Sequence, residues 1–488
     1  MMAAHAFAFL TIMYSHDSMN FYQNYSEQAA LGRWLIKYVY PIRGALSAPW
    51  LIGIICTALM IPTIWIILDL LGLESKLQIL SVSAILTTNV TFICLFATYI
   101  DYADLQILSL ALACMSVYAE EKLPGHFNIL VSCVLLCLSM GIYQVYICAA
   151  AGLYILVLIR KLSDDSGITA RACMKSILKD LFCLAAGTAA YLGIMLTAAH
   201  TSGTALSVEY NGPGRLKGLT AGSIFSSIPA AYTYIWDTFF KETGYNGIHM
   251  IIANSIMLVF FICLVILYLR RSRKRPANAV LMLVLLILLP LSLNIISLVS
   301  MGTMHQLMIY AFQFLYFVPF ILAAEKDAPH KPAGRYRKII ETASCIMLLL
   351  ISFHNIVYAN GAYTYKKLIY DNTVMNMQEI WKDVNSIDGY TEGVTEVAFM
   401  GSVSASKIAY DGPIRSRYSF GLTGTGVTAI TYDDTLGELY QHVLGKNMNI
   451  SYNDPEISES SDYADMPVYP SDGYCRIING KVVVKLSR

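Results

Sequence analysis

Residues 127–159 read FNILVSCVLLCLSMGIYQVYICAAAGLYILVLI, an apolar run of 33 residues that contains no charged side chain. An α-helix rises about 1.5 Å per residue, so about 20 residues cross the roughly 30 Å hydrocarbon layer of a bilayer. The run is too long for a single crossing. It therefore predicts two short helices that reverse direction near Gly141.

Apolar segments on both sides of this run extend the same pattern. They are 3–14, 50–71, 78–97, 105–119, 181–199, 249–269, 279–299, 306–323 and 339–358. The composition agrees, because 56% of the residues are hydrophobic and only 14% are charged, whereas soluble chains carry about 25% charged residues. We expect an all-α polytopic membrane protein with about eleven transmembrane helices. The net charge of +1 offers no basic surface for nucleic acid.

Lysine and arginine in the loops predict the orientation of these helices. They concentrate in three loops, 160–180, 270–275 and 324–338, which an eleven-helix topology places on one side. The positive-inside rule makes this side cytoplasmic. The outer side then receives residues 15–49, 98–104, 200–248, 300–305 and the chain after about 359.

The last 130 residues are acidic and rich in Asn, Ser, Gly and Tyr. We predict a transmembrane domain over 1–358 and a small α+β domain on the extracytoplasmic side over 359–488. The latter contains a helix over 364–388 and strands at VAFMGS and VVVKL, the second after an Asn-Gly turn at 479–480.

Three polar clusters lie at the predicted outer membrane edge. The first is YSHD at 14–17, which is followed by GRW at 32–34. The second is YIDYAD at 99–104, and the third is LSMGIYQ at 138–144. The apolar segments have almost no ionisable residue, which argues against ion-coupled transport.

These clusters, with HQLM at 305–308 and KVVVKL at 481–486, occur in an order that resembles the bacterial glucosyltransferase-II family. That family comprises membrane glycosyltransferases of the serotype-converting type. The chain departs from it in two places. Its first helix is short, and His16-Asp17 stands where many members carry paired acids.

The resemblance implies a GT-C architecture in a bacterial plasma membrane and a sugar donor linked through phosphate to a polyprenyl (undecaprenyl-type) lipid. Transfer to a glycan acceptor of the cell surface is then expected on the outer face, without a nucleotide sugar and without a cofactor. A donor synthase, a flippase and membrane lipid are the expected partners.

The chemistry asks for a base, because an acceptor hydroxyl loses its proton as it attacks the anomeric carbon. Asp17 is the first candidate, and Asp104 and Asp101 are the others. Cations stabilise the departing phosphate in an inverting transfer. The substrate-binding candidates are Arg33, Arg215, Lys217, His305, His16, Tyr143 and Gln144. No residues have clear metal-ligand spacing, so we expect no metal.

Plainer interpretations remain open. Asp17 and Asp104 also fit helix caps, Arg33 fits an interfacial anchor beside Trp34, and Tyr143 with Gln144 fits a support for the reversal at Gly141. Two other functions are also open. A polysaccharide polymerase or ligase would depend more on basic residues of a large outer loop, and a lipid or polysaccharide transporter would need charges or broken helices at mid-membrane.

Overall fold

The computed structural model describes residues 1–15, 25–44, 48–125, 127–164, 169–208, 212–300, 304–323, 332–403, 413–421 and 433–487. Its first sixteen α-helices are α1 Met2–Leu10, α2 Tyr25–Ala30, α3 Ile36–Val39, α4 Pro49–Leu71, α5 Lys76–Thr88, α6 Val90–Thr98, α7 Ala103–Lys122, α8 Phe127–Ile142, α9 Ile147–Ser163, α10 Ala170–Ser202, α11 Ala221–Phe240, α12 Ile248–Arg271, α13 Pro276–Leu293, α14 Ile296–Val299, α15 Val318–Ala323 and α16 Pro332–Asn385. Short 3-10 turns connect several of them, including Tyr40–Arg43, Ile100–Tyr102, Gln144–Tyr146, Pro213–Gly218 and Tyr310–Phe317.

Within these ranges, eight helices are long and apolar enough to cross a membrane. They are α4, α5 continued by α6, α7, α9, α10, α12, α13 and α16. The predicted helical membrane protein is confirmed at this level. Length alone does not yield the expected eleven, because α1, α8 and the apolar helix Tyr310–Ala323 are shorter than a full crossing of about 20 residues.

The apolar run 127–159 is divided as predicted, since α8 ends at Ile142 and α9 begins at Ile147. The hydroxyls of Ser132 and Tyr154 lie 3.0 Å apart. Ser132 lies in α8 and Tyr154 in α9, so this contact joins the two helices as an antiparallel helix hairpin requires. The chain therefore turns back near Gly141.

Serine pairs hold α7 against α8. Ser109 Oγ donates to the Ser139 carbonyl at 2.8 Å, and Ser139 Oγ donates to the Ser109 carbonyl at 2.7 Å. Two turns away, Ser116 Oγ donates to the Ser132 carbonyl at 2.9 Å. Small hydroxyl residues allow helices to approach closely and supply hydrogen bonds that do not depend on water.

The helix bundle has two ends that differ in chemistry. The end that carries residues 28–44, 98–104 and 141–146 is called the site end. The opposite end, which carries residues 69–76, 120–125 and 160–179, is called the basic end. At the basic end, Arg160 Nη1 donates to the Leu70 carbonyl at 2.7 Å. The Tyr268 hydroxyl donates to the Leu162 carbonyl at 3.2 Å.

Beyond the bundle, the described part of the chain contains short helices and a four-stranded sheet of order β2-β1-β4-β3. The helices are α17 Pro413–Tyr418, α18 Asp433–Glu438, α19 Pro455–Ser458 and α20 Ser461–Ala464. The strands are β1 Glu396–Met400, β2 Asn449–Tyr452, β3 Cys475–Ile478 and β4 Lys481–Lys485. The strands β1 and β4 are the two that the sequence predicts.

The predicted helix over 364–388 is the last part of α16, which runs without a break across the predicted domain boundary at 358. The sheet domain packs on the end of this helix. The Tyr474 hydroxyl donates to Asp383 Oδ2 at 2.7 Å, and the Tyr440 hydroxyl donates to the Met377 carbonyl at 3.1 Å. The turn into β4 uses positive φ at Asn479 (52°) and Gly480 (79°), as an Asn-Gly hairpin turn requires.

Candidate active site

The three polar motif segments meet at the site end. The Leu35 amide donates to the Gly141 carbonyl at 2.9 Å. This bond joins the first loop, whose described residues are 25–44, to the α8–α9 turn. A Cβ atom at Gly141 would lie 2.7 Å from the Trp34 ring, so only glycine allows the indole to pack there. Gln28 Nε2 donates to the Tyr102 hydroxyl at 3.2 Å and joins the first loop to the acidic turn 99–104.

The centre of this arrangement is a buried ion pair between Arg43 and Asp104. The two side chains are 5% and 7% exposed, and Arg43 Nε lies 2.8 Å from Asp104 Oδ2. Arg43 Nη2 also donates to the Asp101 carbonyl, and the guanidinium carbon lies 4.3 Å from the centre of the Tyr40 ring. Both predicted acids of the second cluster are therefore in contact with one cation.

Arg43 stands outside the set of candidates predicted from the sequence. Its Nη1 atom and Asp104 Oδ1 are buried and have no hydrogen-bond partner among the described residues. A guanidinium with an open donor beside a carboxylate is suited to hold an anionic group. The ion pair holds the Asp104 carboxylate and the Arg43 guanidinium in fixed positions relative to each other.

Arg33 lies at the edge of the same site. Its Nη1 atom donates to Gln28 Oε1 at 3.2 Å, and its guanidinium carbon lies 5.1 Å from the centre of the Tyr143 ring. Because Gln28 also donates to Tyr102, a chain of hydrogen bonds connects Arg33 to the acidic turn. Arg33 and Tyr143 thus contact each other, although 109 residues of sequence separate them.

Gln144 holds the first loop in place. Its Nε2 atom donates to the Leu31 carbonyl at 2.7 Å and to the Tyr191 hydroxyl at 2.9 Å, and Tyr191 donates to the Gly32 carbonyl at 3.2 Å. Gly32 has φ +77°, a conformation that favours glycine. These contacts support the loop at Leu31 and Gly32, whereas the plainer interpretation from the sequence is a support for the reversal at Gly141.

The other basic candidates lie in other loops. Arg215 Nε donates to the Val208 carbonyl at 2.7 Å within its own loop, and Lys217 and His305 are exposed. The loop itself reaches the first loop, because the Ser207 amide donates to the Ala30 carbonyl at 2.9 Å.

His16 and Asp17 lie outside the described residues, so the predicted base stays a prediction. The chain on either side of them is at the site end. Ser15 Oγ donates to the Thr98 carbonyl, next to the acidic turn, and Gln28 lies against Tyr102.

Lys366 is a residue that sequence reasoning missed. Its side chain is buried (2% exposed), and its ammonium has no hydrogen-bond or ion-pair partner among the described residues. It lies on α16 between Tyr363, whose hydroxyl is 2.6 Å from His5 Nδ1, and Tyr370, whose ring is 6.1 Å from that of Tyr14. A lysine is rarely buried without a partner. The burial of Lys366 does not follow from local sequence, because it depends on α1, which is distant in the chain.

Comparison with known proteins yields one family. A family model described as glucosyl transferase GtrII matches residues 6–323, about two thirds of the chain. The match includes all three motif segments and ends before Lys366 and the sheet. No curated protein and no solved structure matches the chain.

Proposed function

Since the chain belongs to the glucosyl transferase GtrII family, we propose that it transfers a glucosyl residue from a polyprenyl-phosphate donor to a glycan hydroxyl at the site end. The observation that carries the proposal is the buried Arg43–Asp104 pair, at the place where the three motif segments meet. A sugar phosphate on a membrane lipid would bring its charged group to this edge of the apolar helices. The sequence has no glycine-rich nucleotide loop or P-loop that would suit a nucleotide sugar.

The proposed reaction is a single displacement. The acceptor oxygen bonds to the anomeric carbon while the bond from that carbon to the phosphate oxygen breaks. The acceptor proton passes to a carboxylate, and the electron pair of the broken bond leaves with the polyprenyl phosphate. Attack opposite the leaving group inverts the anomeric configuration. Asp17 stays our candidate for the base, with Asp101 as the second candidate.

Three cations at the site end suit the charge of the leaving phosphate. Arg43 has a buried donor atom without a partner among the described residues, Arg33 is held beside Tyr143, and Lys366 is buried without a partner in the described chain. Fixed cations stabilise a transition state most where charge develops in a site that excludes water. Asp104 then has the role of positioning Arg43.

We also propose a cellular location and partners for the protein. The site end and the sheet domain face the extracytoplasmic side of a bacterial plasma membrane, as the basic loops at the other end favour. A donor synthase and a flippase supply the lipid-linked sugar to that side. The ligase alternative would rely on Arg215 and Lys217; Arg215 Nε donates to the Val208 carbonyl within its own loop, and Lys217 is exposed.

The test compares two donors on the purified full chain in lipid nanodiscs. A short-chain polyprenyl phosphate glucose should label bacterial surface glycans, whereas uridine diphosphate glucose should not. NMR of the product should show an anomeric configuration opposite to that of the donor. Transfer from the nucleotide sugar alone, or retention of configuration, would contradict the proposal.

A further inference from the structure

Three carboxylates that are distant in sequence converge at the basic end. Glu120 and Glu121 lie at the end of α7, and Asp180 lies in α10. One oxygen atom of each carboxylate lies within 4.8 Å of the other two. The predicted absence of metal-ligand spacing concerns neighbours in sequence. This cluster forms only in the folded chain, where α7 and α10 both pack against α8.

Two lysines compensate part of the negative charge. Lys179 Nζ lies 2.5 Å from Glu120 Oε1, and Lys161 Nζ lies 2.6 Å from Glu121 Oε2. Asp180 differs, because it is 4% exposed and neither of its carboxylate oxygens has a hydrogen-bond partner among the described residues. Glu120 Oε2 is buried and has no hydrogen-bond partner in the same part of the chain.

Charge and geometry together favour a ligand at this place. Three carboxylates and two ammonium groups leave one negative charge, and a buried carboxylate without a partner is costly. The oxygen atoms that lack a partner, from Asp180 and Glu120, belong to the same cluster. Carboxylate oxygens are the ligands that hard divalent cations prefer.

We propose that a divalent cation of the magnesium or calcium class binds between Asp180, Glu120 and Glu121 and fastens α7 to α10. The cluster is open to ions from the basic end, because the Lys161 and Lys179 side chains are 33% and 35% exposed. The cation lies at the opposite end of α7 from Asp104, so it stabilises the bundle and takes no part in sugar transfer.

The experiment uses the purified full chain in detergent, with Mn²⁺ as the probe ion. The electron paramagnetic resonance signal of free Mn²⁺ should decrease as protein is added, by the amount that corresponds to one bound ion per chain. At 100 times the dissociation constant, the ion should raise the unfolding temperature by roughly 3–5 °C over a chelated sample. Asp180→Asn should weaken binding by at least about tenfold, since it removes a charged ligand.

The matched control is Asp69→Asn, which alters a carboxylate at the same end that is exposed and paired with Lys122. It should leave Mn²⁺ binding unchanged. If Asp180→Asn does not fold, Glu121→Gln takes its place and should weaken binding in the same way. Binding by either variant that equals the wild type would overturn the site.

Two further results would overturn the proposal. One is wild-type protein that binds no Mn²⁺ at millimolar concentration. The other is an unfolding temperature that responds to pH and not to divalent ions, because a proton would then occupy the cluster. Sugar transfer should persist in chelator, and metal binding needs no donor, so failure of this site and failure of the transferase proposal are distinguishable.

Discussion

Two ion pairs lie near opposite ends of the same bundle and have almost the same geometry. Arg43 Nε is 2.8 Å from Asp104 Oδ2 at the site end, and Lys122 Nζ is 2.7 Å from Asp69 Oδ2 at the basic end. Their exposure differs. The side chains of the first pair are 5% and 7% exposed, whereas those of the second are 40% and 38% exposed.

The difference in exposure decides what each pair can contribute. An exposed pair stabilises a protein by about 0–1 kcal/mol, because water and salt screen it. When an ion pair is buried, the lost hydration free energy often exceeds the attraction between the two charges. Removal of one partner nevertheless lowers the free energy of unfolding by about 3–5 kcal/mol. A buried pair with open donor and acceptor atoms is thus poorly explained by stability alone, which supports a functional role at the site end.

The largest difference between the two ends is expected in their accessibility to reagents added outside intact cells. A cysteine at exposed Ser461 should react fully with an impermeant thiol reagent added outside intact cells, and one at exposed Ala277 should not react. The native Cys475 is a poor target, since burial raises the pKa of its thiol to about 12. Wild-type protein is the control. Reversed labelling would place the site end in the cytoplasm.

The next largest effect is expected from Asp17→Asn, which removes the predicted base at the site end. Asparagine keeps the size of the side chain but cannot accept the acceptor proton. Turnover should fall by about 10²–10⁴-fold with donor affinity retained. The assay follows transfer from a short-chain polyprenyl phosphate glucose. Normal turnover, together with loss in Asp101→Asn, would assign the base to the second cluster.

A smaller loss is expected from Arg43→Lys, which keeps the charge of the buried pair. Lysine has three donors on one nitrogen and lacks the planar fork by which Arg43 reaches Asp104 and the Asp101 carbonyl from separate nitrogens. Turnover should fall by about 10²-fold. The matched change at the exposed pair, Lys122→Arg, should leave turnover within about twofold. Equal effects of the two changes would remove the distinction between the ends.

The smallest effect is expected from Lys366→Met, which removes a buried cation and keeps most of the side-chain volume. The Michaelis constant for the donor should rise about tenfold. The unfolding temperature should stay the same or increase, because the buried ammonium has no partner in the described chain.

Lys367→Met is the matched control for this change. Lys367 pairs with Asp371 one turn along α16, and its side chain is 30% exposed. The substitution should leave the Michaelis constant unchanged. A lower unfolding temperature with an unchanged Michaelis constant in Lys366→Met would assign Lys366 a structural role.

The sequence located most of the candidate site in segments but few of its contacts. The motifs at 32–34, 99–104 and 138–144 do converge, and the structure explains Gly141 by the close approach of Trp34. Arg43 lies in the predicted outer loop 15–49 but in none of these motifs. Its contact with Asp104 depends on the path of the first loop, which no local pattern encodes.

The sequence by itself determined the helical membrane class, the break in the run 127–159 and the strands β1 and β4, because these follow from the period and length of apolar runs. Tertiary structure alone decided which polar groups are buried. On α16, Lys366 is 2% exposed, whereas Leu368 and Met375 are 46% and 57% exposed. The reason is that burial depends on what packs against a face, and here the neighbours are α1 and other segments far away in the chain.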